Sequence, residues 1–306
     1  MRVGLLGLGR IGAFHAATLA AHPLVDELIV SDPIRTSPYG RPGDAFDADA
    51  VVIATPTGTH AELLTRACRL GIPAFCEKPV APTVKETLEV LDAAAGARVQ
   101  IGFQRRFDPG FVAASAALRA GELGRLDRVH LVTGDPEPPP AEYVATSGGI
   151  YRDCHIHDFD ILRWVTGREI VSVYAVGANR GAAFFAEAGD VDNSAAVLTL
   201  DDGTLATMQG SRYNGAGYDV RMELAGSAGT HAVGLGPRAP LAGFEGPPWP
   251  DFVTRFHDAY VAEIDAFLRG TGSCTIEDSL AALYVAEAAE LSRREGRPVE
   301  ISEVRA

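Results

Sequence analysis

Three residues of the sequence could together move a proton and stabilise a charged oxygen. Asp153 and His157 lie four residues apart in a segment that we predict to be helical, so the carboxylate and the imidazole share one face. A histidine that titrates near neutrality suits a general base for a hydroxyl proton, and a neighbouring carboxylate stabilises its protonated form. Lys78 follows a predicted strand and could stabilise negative charge on a substrate oxygen. These residue types suit the removal of a proton from an alcohol.

Each of these residues also has a simpler interpretation. Asp153 and His157 could form an ordinary surface ion pair at helical spacing, and Lys78 could be a solvated loop lysine. A metal could also bind in this segment, but His155 and His157 are two apart and point to different sides of a helix. We therefore predict no metal site. The metal candidates would be Asp153, His155, His157, Asp158 and Asp160.

The N-terminal glycines indicate where a dinucleotide would bind. Gly7, Gly9 and Gly12 follow the first predicted strand and open the first predicted helix. This spacing allows a tight turn, a close approach of the backbone to a pyrophosphate, and close packing of the helix on the strand. Asp32 ends the second predicted strand, twenty residues after Gly12, where a carboxylate can bind ribose hydroxyls and repels a 2′-phosphate. The sequence therefore favours NAD over NADP, although Arg35 lies close enough to accommodate a phosphate.

Two further segments follow the carboxyl ends of predicted strands, where a Rossmann sheet meets its cofactor. The first is Thr55-Pro56-Thr57, after a predicted strand that ends at residue 54. The second is Glu77-Lys78-Pro79, after a predicted strand at 74–76. We expect both segments to face the nicotinamide end of the cofactor.

The predicted order of strands and helices that must position these residues differs between the first third of the chain and the rest. Strands alternate with helices in the first third, which predicts a parallel sheet covered on both faces. Only eighteen residues separate Asp32 from Val51, and they include three prolines and two glycines, so the usual third strand and its helix look deleted. After residue 128, β-type segments predict a mostly antiparallel sheet, interrupted by a helix at 149–166 and followed by helices near 252–268 and 276–295. We predict an α/β protein with a Rossmann domain at 1–104 and a substrate-binding domain at 105–306.

Bulk composition excludes several classes of protein. The 306 residues exceed the size at which one hydrophobic core usually stops growing. A net charge of −13 argues against binding to a nucleic-acid backbone. No apolar run reaches the length of a membrane span, and the apolar N-terminus passes into glycines without a signal-peptide cleavage site. The four cysteines are scattered and suit reduced thiols, so we expect a soluble, cytoplasmic protein.

The motifs, in their order along nearly the whole chain, resemble those of the glucose-fructose oxidoreductase/inositol dehydrogenase (Gfo/Idh/MocA) family. They are Gly-x-Gly-x-x-Gly at 7–12, Thr-Pro-Thr at 55–57, Glu-Lys-Pro at 77–79 and Gly-Gly-x-x-x-Asp-x-x-x-His at 148–157. The resemblance implies a Rossmann domain followed by an α/β domain with an open, mostly antiparallel sheet, through which such proteins form dimers and tetramers. It also implies that Lys78, Asp153 and His157 form the catalytic set. The apparent loss of the third strand departs from the family pattern. It affects the predicted contacts with adenosine more than the predicted chemistry.

Within this family, the segments 104–108, 134–143, 147–149 and 156–160 look like those of the inositol 2-dehydrogenase branch. This resemblance implies that Arg105 and Tyr218 approach substrate hydroxyls alongside the catalytic set, although Tyr218 could equally be an ordinary strand aromatic. Gly134 stands where the family often has Arg or His, which removes a side chain near the expected pocket. The residues predicted to contact the cofactor are Gly7, Gly9, Arg10, Ile11, Gly12, Asp32, Thr55, Pro56, Thr57, His60, Glu77, Lys78 and Gln104.

These inferences converge on the NAD-dependent oxidation of a secondary hydroxyl on a cyclic polyol, such as myo-inositol, to the ketone. The resemblance further implies a homo-oligomer, a dimer or a homotetramer. Two alternatives stay open. The same frame could act on an aldose or a modified sugar, because pocket shape decides between such substrates. The chain could also be a non-catalytic NAD-binding sensor, although a sensor would not need Lys78, Asp153 and His157.

Overall fold

A computed structural model describes residues 1–272 and 274–305, which form two compact units. The first unit contains Met1–Phe107 and Asp258–Ala281. The second contains Asp108–His257 and the chain from Ala282 onward. The segment 258–281 therefore belongs to the first unit, although it follows most of the second along the chain.

The first unit is built around a six-stranded parallel sheet. Its strands are β1 (Arg2–Leu6), β2 (Glu27–Ser31), β3 (Arg41–Pro42), β4 (Ala50–Ile53), β5 (Ala74–Glu77) and β6 (Val99–Gly102). They lie in the order β3-β2-β1-β4-β5-β6, and every neighbouring pair is parallel. This order reverses direction between β1 and β4, which is the switch point where dinucleotides bind. The predicted Rossmann fold is confirmed.

The strands of this sheet are apolar because both faces are covered. All four residues of β4, Ala-Val-Val-Ile, are buried. The helices that follow the strands are α1 (Arg10–Ala21), α2 (His60–Leu70) and α3 (Val84–Ala93). One core cluster joins Val3 and Leu5 of β1 to Leu19 of α1 and also includes Ile264 and Phe267 from the returning segment. That segment is therefore part of the hydrophobic core of the first unit.

The region between β2 and β4 is shortened as predicted, but the prediction that the third strand is deleted was wrong. Two residues, Arg41 and Pro42, pair in parallel with Ile29 and Val30. Residues 32–40 and 43–49 contain no helix. Pro42 has no backbone N–H to donate, which limits further pairing at this edge. The sheet therefore ends in a minimal edge strand on the side where adenosine is expected.

The second unit is built around a seven-stranded mixed sheet. Its strands are β7 (Leu126–Gly134), β8 (Ile170–Ala178), β9 (Asn193–Leu200), β10 (Leu205–Ser211), β11 (Asp219–Gly226), β12 (Thr230–Val233) and β13 (Val299–Glu300). They lie in the order β12-β11-β7-β10-β9-β8-β13. Only β7 and β10 run parallel, and the other neighbours are antiparallel. The prediction of an open, mostly antiparallel sheet is confirmed.

The helices after β6 differ in part from those predicted. They are α4 (Pro109–Arg119), α5 (Ala141–Val144), α6 (Ile150–Asp153), α7 (Ile156–Thr166), α8 (Phe184–Glu187), α9 (Phe252–Arg255), α10 (His257–Arg269) and α11 (Ile276–Glu295). The single helix predicted at 149–166 is broken after Asp153, and the one predicted at 252–268 is broken near Phe256. At the first break, His155 N–H donates to Ile150 O (3.0 Å), one residue beyond the regular helical partner. Across residues 1–272 and 274–305, no helix combines the length and apolar character needed to cross a bilayer.

Candidate active site

The glycine turn after β1 fits its predicted role in cofactor binding. Gly7 has φ +91°, and a Cβ there would lie 2.6 Å from Ala54 O. A Cβ on Gly12 would lie 2.2 Å from Gly7 O, so this glycine allows the helix to pack against the turn. A Cβ on Gly9 would meet only the Arg35 guanidinium, at 3.9 Å. The backbone at Gly9 is therefore open to a ligand, and α1 begins beside it with no acidic residue in its first turn, which suits an anion such as a pyrophosphate.

Asp32 is held at the end of β2 by the backbone around it. Three N–H groups donate to its carboxylate, those of Leu8 (2.7 Å), Ile34 (2.8 Å) and Arg35 (2.7 Å). Partial burial acts to raise the pKa of Asp32, but these hydrogen bonds and the Arg35 charge together lower it below its usual value. The group therefore carries negative charge beside the glycine turn at neutral pH, which favours ribose hydroxyls over a 2′-phosphate.

His60 connects the two loops that follow β4 and β5. Its ring is buried, with Nε2 2.9 Å from Thr55 O and Nδ1 2.7 Å from Pro79 O. Thr55 also accepts a hydrogen bond from the Thr59 hydroxyl (2.7 Å). The two predicted cofactor segments are thereby fixed to each other, and Lys78, half-buried, lies in the second of them.

The segment that follows β6 is a 3-10 helix, Gln104–Phe107. Gln104 and Arg105 are buried, and Arg106 pairs with Asp278 of α11 at 3.1 Å. The predicted contacts of Gln104 with cofactor and of Arg105 with substrate stay predictions. The ion pair between the buried Arg106 and Asp278 anchors this short helix to α11.

In the second unit, Asp153 is held by two residues that its motif does not contain. The Tyr143 hydroxyl donates to Asp153 Oδ1 (2.7 Å), and Arg212 Nη2 donates to Oδ2 (2.6 Å). Arg212 is buried and also donates to Asp135 Oδ2 (2.9 Å). Burial alone would lower the pKa of Arg212, but the carboxylates of Asp153 and Asp135 raise it well above its usual value. The Asp153 carboxylate is therefore fixed in place by a permanent positive charge.

The two glycines before α6 explain how Asp153 is presented. Gly148 and Gly149 have φ +82° and +90°, a region that L side chains rarely adopt. A Cβ on Gly149 would lie 3.1 Å from Asp190 Oδ1, and the same oxygen accepts a hydrogen bond from Ile150 N–H (3.0 Å). Asp190 thus caps the start of α6, and the side chain of Arg152 anchors the helix by binding both carboxyl oxygens of Glu287.

His155 is a core histidine with its partners within the fold. It is fully buried, with Nδ1 2.7 Å from Asp158 Oδ2 and Nε2 2.6 Å from Ser194 Oγ. The Thr133 hydroxyl donates to the other oxygen of Asp158 (2.8 Å). This network ties the start of α7 to β7 and β9. It explains the break in the predicted helix, because His155 turns inward, while His157, half-buried, lies in the first turn of α7.

Tyr218 immediately precedes β11 and is buried. Its ring lies edge-on to Phe256, with centroids 6.3 Å apart, and its N–H donates to Trp249 O (2.8 Å). The predicted contact with substrate stays a prediction. Of the predicted catalytic and substrate residues, Lys78 and Arg105 lie in the first unit, and Asp153, His157 and Tyr218 in the second.

Comparison with known proteins identifies the family. A family model described as "Oxidoreductase family, NAD-binding Rossmann fold" matches residues 41–104, and the GFO/IDH/MocA C-terminal domain matches residues 111–232. The chain is 38% identical to an inositol 2-dehydrogenase of Rhizobium meliloti (strain 1021), with 99% of each chain covered. The chain belongs to the GFO/IDH/MocA family of oxidoreductases. Its cofactor is accordingly NAD, as predicted.

Solved structures of inositol dehydrogenases share the fold along nearly the whole chain. A myo-inositol dehydrogenase from Corynebacterium glutamicum superposes with a TM-score of 0.88 at 35% identity, covering 98% of both chains. A scyllo-inositol dehydrogenase from Lactobacillus casei, solved with NAD(H) and scyllo-inositol bound, superposes with a TM-score of 0.87 at 28% identity, covering 99% of this chain and 99% of that chain. Both the Rossmann unit and the mixed-sheet unit therefore match oxidoreductases of this family.

Proposed function

We propose that this chain oxidises a secondary hydroxyl of a cyclic polyol of the inositol type to the ketone, with NAD as the oxidant. The observation that carries the proposal is the match over 99% of the chain to an inositol 2-dehydrogenase, with the Lys78, Asp153 and His157 motifs intact. The geometry of the glycine turn and the ionised Asp32 fit a dinucleotide that has free ribose hydroxyls. When bound, NAD supplies the acceptor for the hydride that leaves the carbinol carbon.

The side chains of the chain account for the rest of the reaction. His157 accepts the hydroxyl proton, and Asp153 orients its imidazole and stabilises the protonated form. Lys78 binds the same oxygen and favours its alkoxide character. A carbinol proton is far too weakly acidic to leave unaided near neutrality, so positioning and charge stabilisation contribute most of the rate enhancement. Tyr143 and Arg212 fix the Asp153 carboxylate. Because the helix breaks between Asp153 and His157, the pairing of these two residues rests on the family motif and not on helical spacing.

We infer that the residues around Lys78, Asp153 and His157 select the substrate. We assign Arg105 and Tyr218 to the polyol hydroxyls that do not react. Gly134 contributes no side chain at the position where the family often has Arg or His, and the Asn214 side chain packs against it, since a Cβ on Gly134 would lie 3.0 Å from Asn214 Cβ. A polyol related to myo-inositol or scyllo-inositol is therefore the substrate class to test first.

A panel of inositols and aldoses with NAD, followed at the nicotinamide absorbance, tests this function. We expect turnover with at least one inositol. His157→Ala and Lys78→Ala should each lower kcat by about 10²-fold or more while the NAD affinity changes little. Lys85→Ala is the matched control, since this lysine is 87% exposed on α3.

Turnover at the level of the unchanged protein in both the Lys78 and the His157 variants would refute the catalytic assignment. Oxidation of aldoses in preference to inositols would move the substrate to another sugar class. Tight NAD binding without oxidation of any compound in the panel would indicate a sensor.

We further propose that the chain forms a homo-oligomer through the outer face of the mixed sheet. Tyr174, Val197 and Thr207 lie side by side in the register of β8, β9 and β10. Tyr174 and Val197 are 41% and 46% exposed, and Val176 and Leu205 on the same strands are exposed as well. An apolar patch of this kind on a sheet is typical of an interface. A second copy of the chain is the occupant, since pairing of like sheets buries both patches at once.

We also propose that the protein acts in the cytoplasm. Cys68, Cys76, Cys154 and Cys274 are free thiols. Burial raises the pKa of the Cys76 and Cys154 thiols well above the usual value, so both stay protonated and unreactive. Free thiols of this kind suit a reducing compartment.

A further inference from the structure

A buried cluster of three titratable side chains lies in the first unit, apart from the glycine turn. It contains His15 of α1, Glu77 at the end of β5 and Glu263 of α10, with their ligand-capable atoms all within 4.8 Å of one another. His15 Nε2 lies 2.7 Å from Glu77 Oε1. Glu263 is fully buried, and within the described chain both of its carboxyl oxygens lack a hydrogen-bond partner. Neither the glycine motif nor the catalytic set accounts for this group.

The surroundings of the cluster are apolar. The His15 ring lies edge-on to Phe75 and Tyr260, with centroids 5.6 and 6.1 Å away. The nearest polar contact of Glu263 is through its backbone, where its carbonyl oxygen accepts from Gln100 Nε2 (3.0 Å). A second carboxylate charge in such a site would be strongly disfavoured, because it would be desolvated and would lie close to Glu77.

The geometry argues against a metal ion in this cluster. Two ligands about 2.0–2.1 Å from one tetrahedral ion lie roughly 3.3 Å apart. The His15 and Glu77 atoms are 2.7 Å apart, which is a hydrogen-bond distance. Binding an ion would therefore first require this hydrogen bond to break. A proton shared between His15 and Glu77 fits their 2.7 Å distance without any rearrangement, while neither oxygen of Glu263 has a hydrogen-bond partner within the described residues.

We propose that Glu263 stays protonated in the folded protein, so that no second buried charge repels the Glu77 carboxylate, and that Glu77, bound to His15, holds the end of β5 that carries Lys78. Glu77 precedes Lys78 directly, so its hydrogen bond to His15, undisturbed by a charge on Glu263, restricts the backbone at the lysine. Glu263 and His15 are positioning residues in this scheme. The part of the inference that concerns Lys78 rests on the proposed function, whereas the protonation of Glu263 does not.

The protonation of Glu263 makes the free energy of unfolding depend on pH. Burial, and then the charge of Glu77, raise the pKa of Glu263 well above its usual value of 4.5. The titratable groups that face it are His15 from α1 and Glu77 from β5. Above pH 4.5 the unfolded chain releases this proton and the folded chain retains it, so folding takes up one proton. The contribution of Glu263 to stability is therefore complete below the unfolded pKa and falls as the pH rises toward the folded pKa.

Glu263→Gln, Glu263→Ala and the control Glu62→Gln test the proposal. Glu62 is an exposed glutamate of α2 in the same unit. The infrared carbonyl band of a protonated carboxyl group should be present in the unchanged protein at neutral pH and in the control, and absent in Glu263→Gln. Urea unfolding between pH 5 and pH 8 should show a decline in stability with pH that disappears in Glu263→Gln and persists in the control.

Steady-state kinetics test whether Glu263 helps to position Lys78. Glu263→Ala should lower kcat about tenfold or more at nearly unchanged NAD affinity, because a small displacement of the lysine costs rate rather than binding. Glu263→Gln, which keeps a neutral donor of the same shape, should restore most of that rate. Similar kcat values in the two variants would overturn the positioning role.

Absence of the carboxyl band from the unchanged protein, or one equivalent of metal lost on Glu263→Gln, would overturn the protonation. If no polyol is oxidised, the infrared and unfolding results still decide the state of Glu263. Failure of the proposed function and failure of this inference are therefore distinguishable.

Discussion

Arg212 is the residue on which the position of Asp153 depends. It is buried between two carboxylates, so its removal leaves both without their cation. We predict that Arg212→Met lowers the free energy of unfolding by about 3–5 kcal/mol, the usual cost of breaking a buried ion pair from one side. Arg212→Lys keeps the charge but loses the planar fork, and should fall in between. Urea denaturation measures both.

The control for this prediction is Arg125→Met. Arg125 is 80% exposed and pairs with Asp127 at the surface, so its loss should lower the stability far less than the loss of Arg212. Equal losses from Arg212 and Arg125 would mean that the buried pair contributes no more than a surface one.

The roles of residues that lie within a motif could be predicted from the sequence. The role of Arg212, which lies far from any motif, could not. Gly7, Gly12 and Asp32 show the positive φ, the close approach and the ionised carboxylate that their spacing indicated. The contact of Arg212 with Asp153 joins positions 59 residues apart, one just after β10 and the other at the end of α6. No local pattern encodes such a pair, because it depends on how the strands are ordered in the sheet.

The contact between β10 and α7 depends on a strand residue without a side chain. A Cβ on Gly210 would lie 2.3 Å from the His155 ring, which bridges α7 to β9. We predict that Gly210→Ala destabilises the protein by about 1–3 kcal/mol, since the histidine must move and its two hydrogen bonds weaken. Thermal unfolding followed by circular dichroism measures the change.

Gly215→Ala is the matched substitution in a loop of the same unit. A Cβ on Gly215 would have no heavy atom within 4 Å, so its stability should change by less than about 0.5 kcal/mol. A Gly210 variant as stable as the Gly215 variant would show that the sheet can absorb the added carbon.

Among the elements, those with a regular period were predictable, and those altered by a buried polar group were not. The helix at 276–295 has the predicted bounds. The helix predicted across 149–166 breaks because His155 binds Asp158 and Ser194 in the core, and periodicity carries no information about that network. The two-residue strand β3 lay within a stretch rich in proline and glycine, which correctly indicated a shortened region but concealed the pairing of Arg41 and Pro42.

The proposed homo-oligomer should dissociate when a charge is placed on the outer face of the mixed sheet. We predict that Val197→Glu lowers the molecular mass in solution to that of a smaller species, because a carboxylate would be buried without a partner in the interface. Val112→Glu is the matched control, since Val112 is 45% exposed, close to the 46% of Val197, but lies on α4. Light scattering after size-exclusion chromatography gives the mass, and an unchanged mass for Val197→Glu would exclude this face.

At the scale of the whole chain, composition and strand order gave the right class of fold. Alternating strands and helices predicted the parallel sheet, and successive strands predicted the mixed one. The return of residues 258–281 to the first unit had no signature in the sequence. An amphipathic helix shows which of its faces is apolar, but not which sheet that face will cover.

This return means that the cofactor half cannot be inherited or exchanged as an N-terminal module. A fragment that stops at residue 107 lacks Ile264, Phe267 and Leu268 from its core and the carboxyl group of Glu263 from its interior. Recombination that joins the first 107 residues to a foreign second half must therefore also bring a compatible segment in place of residues 258–281. Substrate specificity in such proteins would then change more readily by mutation in place than by shuffling of halves.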